Sequence, residues 1–264
     1  MAANRIFGIL EEDEFTKEHF GSKKLKKFAG NISFKDVYFA YEKDLPVLKG
    51  MNFKVNANET IGFVGPSGAG KSTIFNLISA IERVDKGHIT FDGVDINTLD
   101  KSSIRGNLSV ISQNAYIFNM SILDKLKVIK KDATEEEIKD ACHLACLDDF
   151  IETLPNKYDT IVGEGGVTLS GGQKQRLAIA RALLLKTEVL LFDEATSALN
   201  NETQTKIQEA INNLKGEYTI LIIAHRLSTV IDANRIFVIN NGVVEAAGTH
   251  KELLKTSKTY QKLY

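Results

Sequence analysis

An α/β fold built on a parallel sheet follows from three features of this sequence. Short apolar runs alternate with helix-like stretches, the order expected of a strand–helix–strand chain. One run, Val189-Leu190-Leu191-Phe192, is apolar without alternation, the mark of a strand buried on both faces. Another, Thr60-Ile61-Gly62-Phe63-Val64, leads directly into a glycine-rich loop and then a helix-like pattern.

The elements can be taken in order. Residues 1–30 are mixed and charged and read as a short helix followed by a linker. From Asn31 to Val55 the chain turns strand-like, with Ile32, Phe34, Val47, Met51, Phe53 and Val55 alternating with polar neighbours. After the glycine-rich loop, Ile74, Phe75, Leu77, Ile78 and Ile81 mark one side of a helix. Strands are expected at His88–Phe91 and Leu108–Ile111. Between about Tyr116 and Leu154 the pattern is helical, with Glu135-Glu136-Glu137 near one helix start and no clear strand. The buried run at Val189 is followed by a helix from about Glu202 to Leu214 and strands at Tyr218–Ala224 and Arg235–Ile239. No internal repeat or low-complexity segment is evident.

A chain of 264 residues suits one large domain or two small ones and is ample for a core. Apolar residues make up 43% and charged residues 25%, as in ordinary globular proteins. The formal net charge of -1 gives no global reason to expect nucleic acid or an anionic membrane surface as a partner. The basic cluster Lys23-Lys24-Leu25-Lys26-Lys27 reads as solvated linker. Cys142 and Cys146 flank His143 with no second cluster to complete a structural metal site, so two buried thiols on one helix face are expected. No run approaches the roughly 18 apolar residues that span a bilayer. Acidic Glu11-Glu12-Asp13-Glu14 stands where a signal peptide would be apolar.

Three short stretches carry chemistry. Gly65-Pro66-Ser67-Gly68-Ala69-Gly70-Lys71-Ser72-Thr73 fits the phosphate-binding pattern G-x-x-x-x-G-K-[ST]. Glycines let backbone N–H groups turn onto phosphate oxygens at the positive end of the following helix. Lys71 offers a point charge to the outer phosphates and Ser72 a hydroxyl to magnesium. Asp193 and Glu194 emerge at the carboxyl end of the buried strand, where ligands of open α/β sheets bind. Asp193 would hold magnesium, and alternation aims Glu194 elsewhere, toward an attacking water. Alone, such a pair is often a helix cap; beside a phosphate loop it reads as catalytic. Leu169-Ser170-Gly171-Gly172-Gln173 opens an apolar helix, with Ser170 as N-cap. By itself that stretch is either a second anion site or an ordinary helix start.

The last pentapeptide, with Lys174-Gln175-Arg176 after it, resembles the diagnostic motif of ATP-binding cassette (ABC) proteins. The resemblance covers the chain from about residue 31 to its end. It implies a P-loop NTPase (RecA-like) α/β core, with an antiparallel β subdomain near the N-terminus and an inserted α-helical subdomain at about 114–171. ATP and Mg2+ are the implied cofactors. Tyr41 resembles the aromatic that stacks on adenine, and Gly65, Ser67, Gly68, Ala69, Gly70, Lys71, Ser72 and Thr73 the nucleotide cradle. Gln113 resembles the glutamine that reaches magnesium and the water, His225 the histidine that contacts the terminal phosphate, and Glu194 the general base. Ser170, Gly172 and Gln173 are implied to act on the ATP of a second nucleotide-binding domain in a head-to-tail dimer. They lie so far from Lys71 in sequence that one chain need not bring them together.

The branch resembled is the exporter type. Gly163-Glu164-Gly165-Gly166 is similar to the loop that touches the transmembrane partner, as is the surface near Ala115–Ser121. Ala3-Asn4-Arg5-Ile6-Phe7-Gly8-Ile9-Leu10 is similar to the helix leaving the last membrane span of a fused half-exporter. Residues 1–30 are therefore expected to be a linker from a transmembrane region, and 31–264 the nucleotide-binding domain, at the cytosolic face of the cell membrane. One position departs from the family: Asn200 stands where Ser197-Ala198-Leu199 is usually followed by Asp. The change keeps size and a hydrogen-bonding oxygen and removes a charge that helps connect the two halves of the dimer. Soluble cassette ATPases of chromosome maintenance or translation would show coiled-coil insertions or a second cassette. A regulatory module with little turnover would draw on Asn200, and a plain phosphate-loop kinase leaves Leu169–Gln173 unexplained.

Overall fold

The computed structural model describes residues 20–112, 118–163, 165–193, 201–224 and 226–264. Strands β1 (Ile32–Glu42), β2 (Leu45–Val55) and β3 (Thr60–Val64) lead to helix α1 (Lys71–Ile78). Then come β4 (Lys86–Phe91), β5 (Val94–Asp95), α2 (Lys101–Arg105) and β6 (Leu108–Ser112). The middle of the chain holds β7 (Met120–Ser121), α3 (Ile122–Lys127), α4 (Glu135–Leu144), α5 (Asp148–Glu152) and β8 (Ile161–Val162). The remainder is α6 (Gly171–Leu185), β9 (Val189–Asp193), α7 (Asn201–Asn213), β10 (Thr219–Ile223), β11 (Arg235–Asn240), β12 (Val243–Gly248), α8 (His250–Thr256) and α9 (Lys258–Leu263).

The central sheet has the order β12-β11-β3-β10-β9-β6 and is parallel except for β12, antiparallel to β11. Its strands alternate between two cores, as a period of two requires. Leu190, Phe192, Ile220, Ile222, Ile236 and Val238 face a helical core with α4, α6 and α7. Val189, Leu191, Leu221, Ile223, Phe237 and Ile239 face a second core with α1 and the antiparallel sheet β2-β1-β4-β5. Every residue of β3 and β10 is buried, which explains runs without polar alternation. The strand-like stretch 31–55 is the pair β1–β2, with Phe34 opposite Phe53 and their rings stacked at 4.3 Å.

Among the described residues between β6 and α6, helices α3, α4 and α5 are joined by turns, and the only strands are β7 and β8, a two-residue pair with Met120 opposite Val162 that the sequence did not show. Helix α4 begins with a capping box in which Thr134 and Glu137 exchange side-chain-to-backbone bonds. Lys130 and Lys186 also bond the Glu137 carboxylate and bring its pKa down to about 2.

Three local expectations change. Ile81 is not on the helix face: α1 stops at Ile78, Ala80 takes a left-handed φ of 51°, and Ile81 is 63% exposed. Only Cys142 is buried on α4; Cys146 lies past the helix end at φ 54° and is partly exposed. Residues 20–30, read as linker, lie against the body. Gly21 and Lys23 N–H donate to the carbonyls of Leu99 and Thr98 at 2.8 and 3.0 Å, and Phe28 stacks on Phe91. The lysines of the basic cluster stay exposed, as expected. Residues 1–19 lie outside the described residues.

Candidate nucleotide site

The glycine-rich loop joins the carboxyl end of β3 to the first turn of α1. Its shape needs glycine at two places. A Cβ on Gly65 would stand 2.0 Å from the carbonyl oxygen of Ile239, and Gly70 has φ 102° with Leu48 Cδ2 2.7 Å from a Cβ position. Between them Pro66, Ser67 and Gly68 arch into solvent, while Ala69 is buried and pins the loop to the second core. Gly65→Ala is accordingly expected to cost about 2–3 kcal/mol of stability, read as a lowered denaturation midpoint with unchanged slope.

Lys71 is 6% exposed, and its Nζ donates to the carbonyls of Gly65 and Pro66 at 2.9 and 2.8 Å. The ammonium thus lies along the inside of the loop, at the helix end that attracts anions. Ser72, next in the first turn, is exposed. Tyr41, at the end of β1, is brought beside this turn: its hydroxyl lies 3.3 Å from Thr73 Oγ1 and accepts from Asn76 Nδ2 at 3.1 Å. Phe39 packs edge-on against the Tyr41 ring at 4.8 Å, and the ring stays 54% exposed. A flat aromatic face is so presented next to the phosphate loop. Asn76 was not picked out in the sequence, because an amide on a helix carries no motif of its own.

The sheet positions the other chemistry. Ser112, Asp193 and Ile223 are register partners across β6, β9 and β10, and Ile223 pairs in turn with Phe63 of β3. All four strands therefore end level with the start of the phosphate loop. Asp193, half-buried, is two strand spacings from β3, roughly 10 Å. Gln113, Glu194 and His225 lie outside the described residues, as do Asn200 and Glu164. In sequence Gln113 and Glu194 directly follow the level ends Ser112 and Asp193, and His225 comes two residues after Ile223, following Ala224, whose N–H donates to Phe63 O at 3.1 Å.

Ser170 caps α6 as expected. Its Oγ accepts from Gln173 N–H at 3.3 Å, and Gln173 Oε1 accepts from Ser170 N–H at 2.8 Å. Ser170 and Gly171 are exposed and Gly172 is buried. The structure does not join this cap to the loop. Helix α6 packs in the helical core, whereas α1 and Ala69 belong to the second core on the other face of the sheet.

A third surface lies beyond the β6 edge. A groove of about 450 Å³ is lined by Val110, Phe118, Ile129, Ala178, Arg181 and Leu185, among others. Phe118 is 62% exposed, and Lys125 Nζ donates to its carbonyl. Burial, with a smaller push from the Arg181 charge, lowers the Lys125 pKa. Gly163 packs on the same segment: a Cβ there would lie 3.1 Å from Phe118 O and Asn119 Cα. Gly163 and Gly165 therefore lie against Phe118 and Asn119.

The ABC transporter family's sequence profile matches residues 48–197. The ATP-dependent lipid A-core flippase of Pasteurella multocida is 43% identical over 265 residues, covering 100% of this chain and 45% of the relative. The flippase of the same name from Desulfotalea psychrophila is 43% identical over 263 residues, covering 100% of this chain and 46% of the relative. A solved bacterial Atm1-family ABC exporter with ATP bound superposes with a TM-score of 0.89 at 36% identity, covering 98% of this chain and 46% of that one. The chain spans about half the length of the curated relatives it matches. With the phosphate loop, the level strand ends and the Ser170 cap all carried on that fold, the chain belongs to the ABC transporter family, as its ATP-binding domain.

Proposed function

We propose that this chain is the ATP-hydrolysing motor of a membrane exporter, working as a head-to-tail dimer at the cytosolic face of the cell membrane. The observation that carries the reading is the common level at which β6, β9, β10 and β3 end. It starts Gln113, Glu194, His225 and the phosphate loop from one edge of one sheet.

In this reading the loop N–H groups and Lys71 Nζ take the phosphates, and Tyr41 stacks on the adenine. Glu194 removes a proton from the attacking water, Gln113 orients that water, and His225 steadies the terminal phosphate. Ser72, Asp193 and Gln113 would hold magnesium, a set of hard oxygen donors that suits the ion, with the Ser72 hydroxyl exposed and Asp193 half-buried at the sheet edge. The ion, when bound, screens charge on the phosphates.

Ser170, Gly172 and Gln173 serve the nucleotide of a second copy or a paired domain. Helix α6, which they open, packs in the helical core while α1 packs in the core on the other face of the sheet, which supports that division. The relatives are named for ATP-dependent flipping and for export, which supports membrane transport as the work done. No helix among the described residues is long and apolar enough to cross a membrane. The path across it is proposed to come from a transmembrane partner, as the naming of the relatives for flipping and export suggests. The groove around Phe118, with Gly163 and Gly165 beside it, is the docking surface proposed for that partner. Residues 1–30 would lead from that region, 31–264 form the nucleotide-binding domain, and about 114–171 its helical subdomain.

The first test is Mg-ATP turnover by this chain at several protein concentrations. Turnover per mole should rise with concentration, because each site needs two subunits. ATP binding without turnover at any concentration would instead favour a regulatory module, with Asn200 the first residue to restore to Asp.

A further inference from the structure

Helix α7 starts directly after the stretch that contains Glu194 and Asn200, and Arg226 directly follows His225. One side chain bridges the two segments. Gln204, in the first turn of α7, accepts from Arg226 Nη1 through Oε1 at 2.8 Å and donates from Nε2 to Ser228 Oγ at 2.7 Å. Arginine has only donors, so its partner must be the amide oxygen, and the nitrogen is then left to meet the serine hydroxyl.

We infer that Gln204 is a positioning residue, which ties Arg226 and the turn at Leu227–Thr229 to the first turn of α7, the two elements that directly follow His225 and the stretch from Glu194 to Asn200 in the chain. The inference rests on the roles proposed above for Glu194 and His225.

The far side of the bridge is anchored. Leu227–Thr229 form a single 3-10 turn, and Val230 behind it is fully buried. Val230 packs so closely on Gly62 of β3 that a Cβ on Gly62 would lie 2.7 Å from Val230 Cβ. Arg226 thus stands between a turn fixed on the phosphate-loop strand and a glutamine fixed on α7. The Arg226 bond is charge-assisted and is the stronger of the two. Gln204 and Arg226 line an open groove with Gln208 and Asn212 rather than the core, so losing the amide should not unfold the chain.

The test compares Mg-ATP kinetics and melting temperature for the chain itself, Gln204→Ala and Gln204→Glu. Glutamate keeps an acceptor for Arg226 and gives up the donor to Ser228. Gln204→Ala is expected to lower kcat roughly tenfold, with KM changed less than about twofold. Its melting temperature should stay within about 2 °C of the parent. Gln204→Glu should recover most of kcat. Unchanged kcat in Gln204→Ala, a loss that only follows a fallen melting temperature, or a Gln204→Glu variant as slow as the alanine would each overturn the inference alone. A parent chain that binds ATP and never turns it over would overturn both this inference and the function on which it rests.

Discussion

Glu194→Gln is expected to lower Mg-ATP turnover by about 10²- to 10⁴-fold while ATP still binds. The substitution keeps the size and one oxygen of the side chain and removes its ability to take a proton. Strand β9 delivers the residue: Asp193 is pinned between Ser112 and Ile223, and Glu194 is next in the chain. Because a general base acts mainly in the transition state, the ground-state affinity should hardly move. A second consequence separates this residue from a merely structural acid. If ATP lies between two subunits and hydrolysis releases them, blocking hydrolysis should trap the pair. Size-exclusion chromatography of the Gln variant with saturating Mg-ATP should then show a dimer. Only monomer under those conditions would count against the interfacial site, and full turnover would remove Glu194 from the chemistry.

Much of the fold was legible because its signals are local. The unbroken apolar run of β9, the strand running straight into a glycine loop at Val64 and the Ser170–Gln173 capping box each announce an element within five or six residues. Where reading failed, the deciding feature had little side-chain signature. The bonds of Gly21 and Lys23 to Leu99 and Thr98, respectively, are main-chain bonds across a long sequence gap, so residues 20–30 looked like free linker. Ile81 continued the 3.6-residue spacing of α1, but the left-handed turn at Ala80 had already ended the helix. Strand β12 is an exception, because its turn was written in the sequence: Asn241-Gly242 is the dipeptide favoured in a type I′ hairpin turn, and the two residues do take left-handed φ of 48° and 79°. Its half-exposed residues Val243 and Val244 lack the unbroken apolar run that made β9 plain. The site divides in the same way. The phosphate loop and Asp193 are contiguous motifs, whereas the Gln204–Arg226–Ser228 bridge joins residues more than twenty positions apart that no short pattern links.

Mixing two inactive variants should restore activity, and this is the sharpest consequence of proposing that Ser170 of one subunit serves the nucleotide held by Lys71 of another. Lys71→Ala removes the charge at the phosphate loop. Ser170→Arg puts a long cationic side chain at the exposed N-terminus of α6, where an anion would sit. Each variant alone should lose about a hundredfold or more of turnover, because every site in either homodimer is defective. A mixed dimer is different. One of its sites combines both defects, and the other combines an intact loop with an intact cap. Equal mixing with free exchange should therefore recover about a quarter of parental turnover, since half the dimers are mixed and each has one sound site of two. If instead the loop and the cap of one chain served the same nucleotide, every subunit in the mixture would carry one broken half, and mixing would recover nothing. The packing of α1 and α6 in separate cores argues for the first outcome. Titrating one variant into the other at fixed total protein reads the answer directly: a peak near equal proportions marks a shared site, and a flat line marks a private one.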